Sequence, residues 1–131
     1  MKKLRGFTLI ELMIVLVILG LLASLVAPQM FSKVGSTKVK TAKAQMQMFQ
    51  TALDTFRLDI GDYPNSLEEL VKSERNGWDG PYIPKAIPKD PWGHDYQYKL
   101  SGNSVSGFEM FSYGKDGQSG GEGENADVIH Q

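Results

Sequence analysis

Residues 7–27 read FTLIELMIVLVILGLLASLVA, interrupted notably by Thr8, Glu11 and Ser24. A bilayer core about 30 Å thick takes roughly 20 apolar residues of helix, so this run is long enough to cross one. Lys2, Lys3 and Arg5 precede it, and the positive-inside rule keeps them cytoplasmic and the C-terminal bulk outside. A cleaved secretory signal has a shorter apolar stretch, about 7–15 residues, and has no use for Glu11. A plain single-pass anchor fits the length but leaves that acid unexplained. An ionised carboxylate inside an apolar span is expensive and normally has a partner. Cutting just before Phe7 would create an N-terminal amine, and a neighbouring copy could bring that amine to Glu11.

Working outward, Pro28 follows the run. It lacks an N–H and clashes with the preceding turn, so a kink or local melting of the helix is expected there. Beyond it Val39, Ala42, Met46, Phe49, Leu53, Phe56 and Ile60 recur at alternating steps of three and four, which is an amphipathic helical stripe. Gln45, Gln47, Gln50, Thr51, Asp54, Thr55 and Arg57 fill much of the other face. A coiled coil would need charged flanking positions over three or four heptads, so the stripe is read instead as packing on a small sheet. Gly35 and Ser36 are weak helix formers and mark a soft point. One helix from Phe7 to about Asp59 would span on the order of 80 Å. Half of it must therefore find its partner in the membrane or in other subunits.

Gly61-Asp62-Tyr63-Pro64 ends the helix. Ser66-Leu67-Glu68-Glu69 reads as a capping box opening a short second helix over residues 66–74. A Pro-rich loop over residues 77–93 follows, whose prolines and aromatics predict an ordered, packed segment rather than a proline ligand. Residues 95–100 (DYQYKL) and 108–113 (FEMFSY) have strand character, giving an antiparallel hairpin over residues 95–113. The expected fold class is α+β: a long N-terminal helix, half transmembrane and half amphipathic, packed on a small antiparallel sheet. The expected divisions are a leader at 1–6, a transmembrane helix at 7–30 and a globular part at 31–131.

Composition removes several function classes. The chain has 131 residues, no cysteine and a formal charge of −1, so disulfides, thiolate metal sites and a global attraction to nucleic acid are all absent. His94 and His130 are the two histidines. No H-E-x-x-H, phosphate-cradling loop or nucleophile elbow occurs. Asp90, His94 and Asp95 lie close in sequence, but no nucleophile accompanies them, and no catalytic role is expected. Residues 113–128 combine glycines with Asp116, Glu122, Glu124 and Asp127. This pattern is not an EF-hand. On composition alone it is either a solvated acidic tail or a loop of hard oxygen donors suited to Ca²⁺.

The stretch KKLRGFTLIELMIVLVILGLLASLVAP resembles the class III leader of type IV pilins and type II secretion pseudopilins. The strings GPYIPKAIPKDPWGHDYQYKL and GFEMFSYGKDGQSGGEGENADV are similar to the major pseudopilins of type II secretion and extend the likeness over nearly the whole chain. The resemblance implies a pilin-like fold and cleavage after Gly6 by a prepilin peptidase that then N-methylates Phe7. It implies a role for Glu11 in recruiting subunits and for Pro28 in bending the helix. It also implies a C-terminal loop fastened by Ca²⁺. The carboxylate ligands then fall on Asp116 and Asp127, and backbone carbonyls on Tyr113, Gln118 and one residue between Ser119 and Asn125. Where some members carry two adjacent acids this chain has Ala126-Asp127, which leaves Glu122 or Glu124 to compensate; the tail VIHQ also lacks the family's tryptophan. Typical type IV pilins close this loop with a disulfide, which a chain without cysteine cannot form. The function implied is a non-enzymatic subunit of a helical homopolymer, the periplasmic pseudopilus that drives export of folded proteins. Its implied partners are membrane lipid before assembly, minor pseudopilins, and an inner-membrane platform with its ATPase. An adhesive or motility pilin, or a tethered periplasmic binding module, are the rival readings.

Overall fold

The computed structural model of the chain describes residues 6–130. Lys2, Lys3 and Arg5, and with them most of the expected leader, lie outside the described residues, as does Gln131. The chain divides into two compact units, one ending at Gly35 and the other beginning at Ser36. The division falls at the two weak helix formers, Gly35 and Ser36.

Helix α1 runs Leu9–Ile60. Its first turn is tied by a reciprocal pair. The Glu11 backbone N–H donates to Thr8 Oγ1 at 3.2 Å, and the Thr8 N–H donates to Glu11 Oε2 at 3.4 Å. That is a capping box, spelled Thr8-x-x-Glu11 in the sequence. The helix continues through Pro28, so the local melting expected there does not occur. Proline removes one backbone hydrogen bond, and strongly helical sequence on both sides holds the remainder, as in membrane helices generally. At the other end Gly61 donates its N–H to the Arg57 carbonyl at 2.7 Å. Its φ of +106° is open to glycine and costly to a residue with a Cβ.

In the first unit the apolar side chains have no cover. None of the most apolar stretch of α1 is buried, and Leu9, Leu25 and Phe31 are all more than two-thirds exposed. A contiguous apolar surface of this kind marks a membrane or protein contact.

The second unit is built on the predicted stripe. Ala42, Met46, Phe49, Leu53 and Phe56 are buried, with Val39 and Ile60 packed at the margins. Burying each large side chain is worth about 1.5–3 kcal/mol. Strands β1 (Gln97–Leu100), β2 (Phe108–Ser112) and β3 (Val128–Ile129) form an antiparallel sheet in the order β1-β2-β3. Gln97 pairs with Phe111, and Ser112 pairs with Val128. Alternation along β2 sends Phe108, Met110 and Ser112 inward. Tyr96 meets Phe49 edge-on at 5.2 Å, and Tyr98 donates to the Pro64 carbonyl at 2.7 Å. Strand β3 goes beyond the expected hairpin: the acidic stretch returns to the sheet instead of trailing away.

The second helix expected over residues 66–74 is instead a single 3-10 turn, Leu67–Leu70. Ser66 makes no side-chain cap bond, and the Glu69 carboxylate is taken by the Asn65 N–H at 2.6 Å and Arg75 Nε at 3.0 Å. A longer helix would also need the Glu69 and Leu70 carbonyls as acceptors. They are occupied by Trp78 Nε1 and the Tyr82 N–H, each at 2.8 Å. Returning aromatics thus stop the helix. The same contacts order the Pro-rich loop, in which Ile83 is buried and Tyr82 donates to Asp59 Oδ2 at 2.7 Å.

His130 closes the sheet end onto α1. Its ring stacks on Phe108 with 6.3 Å between centroids, and Nε2 lies 2.5 Å from Gln50 Oε1. Burial pushes its pKa below the ordinary histidine value, opposed by the charge of Asp54. The unfolded chain then takes up the proton more readily than the folded one. Stability from this group is complete above about pH 6.5 and is lost as the pH falls from there toward the lower folded-state pKa. The thermal midpoint is expected to fall between about pH 7.5 and 5.5, with a shallower fall in His130→Asn.

Candidate functional site

Two regions carry the sequence-predicted site residues, one in each unit. In the first, Gly6, Phe7, Thr8 and Glu11 form the head of α1. Phe7 is 89% exposed and begins the apolar segment. Glu11 lies in the first turn of the helix and its carboxylate reaches back to the N-terminal end, where the helix dipole favours negative charge. A carboxylate in this position faces the place where a new amine would appear if the chain were cut after Gly6. Thr8 is the residue that the reading of the sequence passed over, and the T-x-x-E spacing before an apolar run was the signal for it. Pro28 lies within the same unit, inside the helix.

The second region is the loop joining β2 to β3. It leaves the sheet at Ser112, whose hydroxyl donates to Asp90 Oδ2 at 2.6 Å and accepts the Gly114 N–H at 3.1 Å. Asp90 is buried, and its Oδ1 accepts the N–H groups of Trp92 and His94. Asp90 is therefore a structural knot holding the Pro-rich loop to the root of the acidic loop, which accounts for it without chemistry. His94 Nε2 adds a contact to the Lys115 carbonyl at 3.2 Å.

Two glycines let this loop fold on itself. Gly114 has φ +78°, and a Cβ there would lie 2.6 Å from the Ala126 carbonyl oxygen and 2.8 Å from that of Glu124. A Cβ on Gly121 would lie 2.5 Å from the Asn125 carbonyl oxygen. Both positions bring carbonyl-bearing backbone close, and no other residue type fits. The Lys115 N–H donates to the Glu124 carbonyl at 2.9 Å, and Lys115 Nζ pairs with Glu124 Oε2 at 3.3 Å, so the lysine cross-braces the loop.

Within this frame the predicted ligands divide. Tyr113, Ser119 and Asp127 line one cavity of about 600 Å³ beside β2 and β3. Asp116 is exposed and accepts the Gln118 N–H at 3.1 Å within its own turn; Asn125 closes a 3-10 turn. Asp127 Oδ2 accepts the Gly120 N–H at 3.1 Å. Its Oδ1 is buried and has no hydrogen-bond partner among the described residues. A buried carboxylate oxygen left unmatched costs free energy, and a cation would match it. The donors nearby are carboxylates and backbone carbonyls, the hard oxygens that Ca²⁺ takes. Among the described residues no three histidine, aspartate or glutamate side chains converge on one point, so any such site here draws on backbone carbonyls for much of its coordination.

An apolar helix head with one capped acid, and a three-stranded sheet closed by an acidic loop over an amphipathic helix, make up a pilin-like subunit. The fold is similar to the crystal structure of the major pseudopilin from the type 2 secretion system of enterohaemorrhagic Escherichia coli. The TM-score is 0.62 at 28% identity, covering 76% of this chain and 90% of that one. Residues 1–27 match the prokaryotic N-terminal methylation motif, and residues 29–131 match type II secretion system (T2SS), protein G. Type II secretion system core protein G of Vibrio cholerae is 43% identical, covering 98% of this chain and 92% of its own length. The Pseudomonas aeruginosa protein of the same name is 42% identical, covering 97% and 94%. The chain belongs to the type II secretion system protein G family.

Proposed function

We propose that this chain is the subunit of a periplasmic pseudopilus, stored in the inner membrane as a single-pass protein and polymerised from there by helix-on-helix packing. The observation that carries the proposal is the uncovered apolar surface of the first unit, headed by one acid at the cleavage motif. A lipid bilayer covers such a surface before assembly, and copies of the same helix cover it afterwards. The role is mechanical rather than catalytic: the growing filament pushes folded proteins outward. Its partners are a prepilin peptidase that cuts after Gly6 and methylates Phe7, minor pseudopilins that share the filament, and an inner-membrane platform with its ATPase.

The proposal includes Ca²⁺ in the loop between β2 and β3, held by Asp127 and Asp116 with carbonyls of Tyr113, Gln118 and a residue between Ser119 and Asn125. The ion would supply a fixed positive centre for the Asp127 oxygen that the chain leaves unmatched, and so fasten the loop. Mass spectrometry of the membrane-extracted protein tests the central claim. The expected product begins at Phe7 and carries one methyl group on its amine. An intact Met1 in cells that contain the peptidase would leave only a tethered periplasmic module.

A further inference from the structure

A cleft of about 480 Å³ opens in the second unit, away from the loop between β2 and β3. Arg57 at the end of α1 and Arg75 after the 3-10 turn both line it, with Asp62, Tyr63, Asn65 and Ser101. Its wall includes Gly107, where a Cβ would press within 3.1 Å of the Tyr63 ring. The Arg57 guanidinium lies over that ring, 5.0 Å from its centre. Among the described residues it meets no carboxylate at ion-pair distance. Arg75 uses Nε for Glu69 at 3.0 Å, and this leaves its terminal nitrogens for a second acceptor. Arg57 Nη1 also donates to the Tyr63 hydroxyl at 3.5 Å, and a guanidinium placed over a ring in this way keeps its remaining N–H groups for a carboxylate.

A group of opposite charge is on the same chain but on a different surface. Residues 118–123 are exposed without a break, so nothing in their own fold covers them. Glu122 sits in this run with no ion pair among the described residues, whereas Glu124 is held by Lys115 and Glu109 by Lys99. We propose that the Arg57–Arg75 cleft is a carboxylate-binding site that receives Glu122 from the acidic loop of a second copy. The inference rests on the filament reading and gives it a lateral contact outside the apolar helices. A cleft on one copy meeting a loop on the next is a heterologous contact, which continues along a filament instead of closing a pair.

The test uses the full-length chain assembled in membranes. Arg57→Glu and Glu122→Arg are each expected to lower the yield of sheared filaments by about fivefold or more, since each puts like charges together at every repeat. The double variant carrying both changes should recover most of the yield. Because the chain has no cysteine, Gly102→Cys combined with Glu122→Cys gives a clean oxidative cross-link assay. Gly102 lines the cleft with open space around it. A ladder of linked subunits in whatever filaments the double-cysteine chain forms, absent from chains carrying either cysteine alone, supports the contact. Filaments that form without a ladder, or a double variant no better than the singles, overturn it. Loss of the response of the Glu122→Gln protein's unfolding midpoint to Ca²⁺ also overturns it, because a neutral amide adds no positive charge beside the ion and Glu122 would then be a metal ligand. If the wild-type chain forms no filaments at all, the filament reading itself fails and this contact goes with it.

Discussion

Glu11→Ala is expected to stay in the membrane fraction and to be missing from filaments. Insertion depends on the apolar run, and removing the acid makes that run more apolar. Assembly is different. When the helix leaves lipid for a bundle of its own copies, a carboxylate inside an apolar contact must be matched. The amine of a processed neighbour is the group of opposite charge that every added subunit brings. The capping box complicates this variant, because Glu11 also receives the Thr8 N–H and loss of a cap costs about 1 kcal/mol. Two further substitutions separate the effects. Thr8→Ala breaks the box but keeps the charge, and should assemble. Glu11→Gln can still serve as the reciprocal member of the box but has no charge, and should fail. The measurement is the partition of each variant between membrane and sheared-filament fractions. Normal filament yield from Glu11→Gln would show that the cap, not the ion pair, is what Glu11 provides.

Much of the fold was legible in the residues because a single effect governs each of the large elements. The apolar run needs only length, and the stripe from Val39 to Ile60 needs only spacing. Both are sums over many side chains, so no single neighbour can overturn them. The second helix is where the reading failed, and it turned on two hydrogen bonds supplied from outside the segment. Residues 66–74 have a helical signature, but Trp78 and Tyr82 take the carbonyls that would have continued it. Nothing in Ser66-Leu67-Glu68-Glu69 announces that. At Pro28 the missing N–H is local, whereas the cooperativity of the flanking turns is not, and the helix does not melt there. Strand β3 is two residues, Val128–Ile129, too short for alternation to show, and β2 recruits it through register.

The candidate site divides along the same line. Gly6, Phe7 and Glu11 stand in an unbroken linear motif, so their grouping is a property of the sequence. The acidic loop assembles its oxygens by folding back across Gly114 and Gly121, and composition alone could not tell a folded loop from a solvated tail. Asp90 shows the converse. Next to His94 and Asp95 it resembles a fragment of a catalytic cluster, yet its bonds to Ser112, Trp92 and His94 account for its burial.

Removing Ca²⁺ is expected to lower the unfolding midpoint of the full-length protein by roughly 10–20 °C, from linkage at about 100-fold excess over Kd. The two carboxylates should not contribute equally. Asp127 has a buried, unmatched oxygen, whereas Asp116 is exposed and already satisfied in part by the Gln118 N–H. Asp127→Asn should therefore abolish the response to the metal, and Asp116→Asn should weaken it. The sign in chelator is the sharper test. Without the cation, the Asp127 carboxylate is a partly buried charge with half its acceptors idle, and such a group destabilises the fold that holds it. Asp127→Asn in chelator should then unfold at or slightly above the wild-type midpoint, while in saturating Ca²⁺ it unfolds well below. A structural role for Asp127 that needed no cation would make the substitution harmful to the same extent in both solutions, through loss of the Gly120 contact. Thermal melts of the two proteins, with and without chelator, distinguish these outcomes, and equal midpoints for the wild-type protein in both solutions would remove the metal from the mechanism.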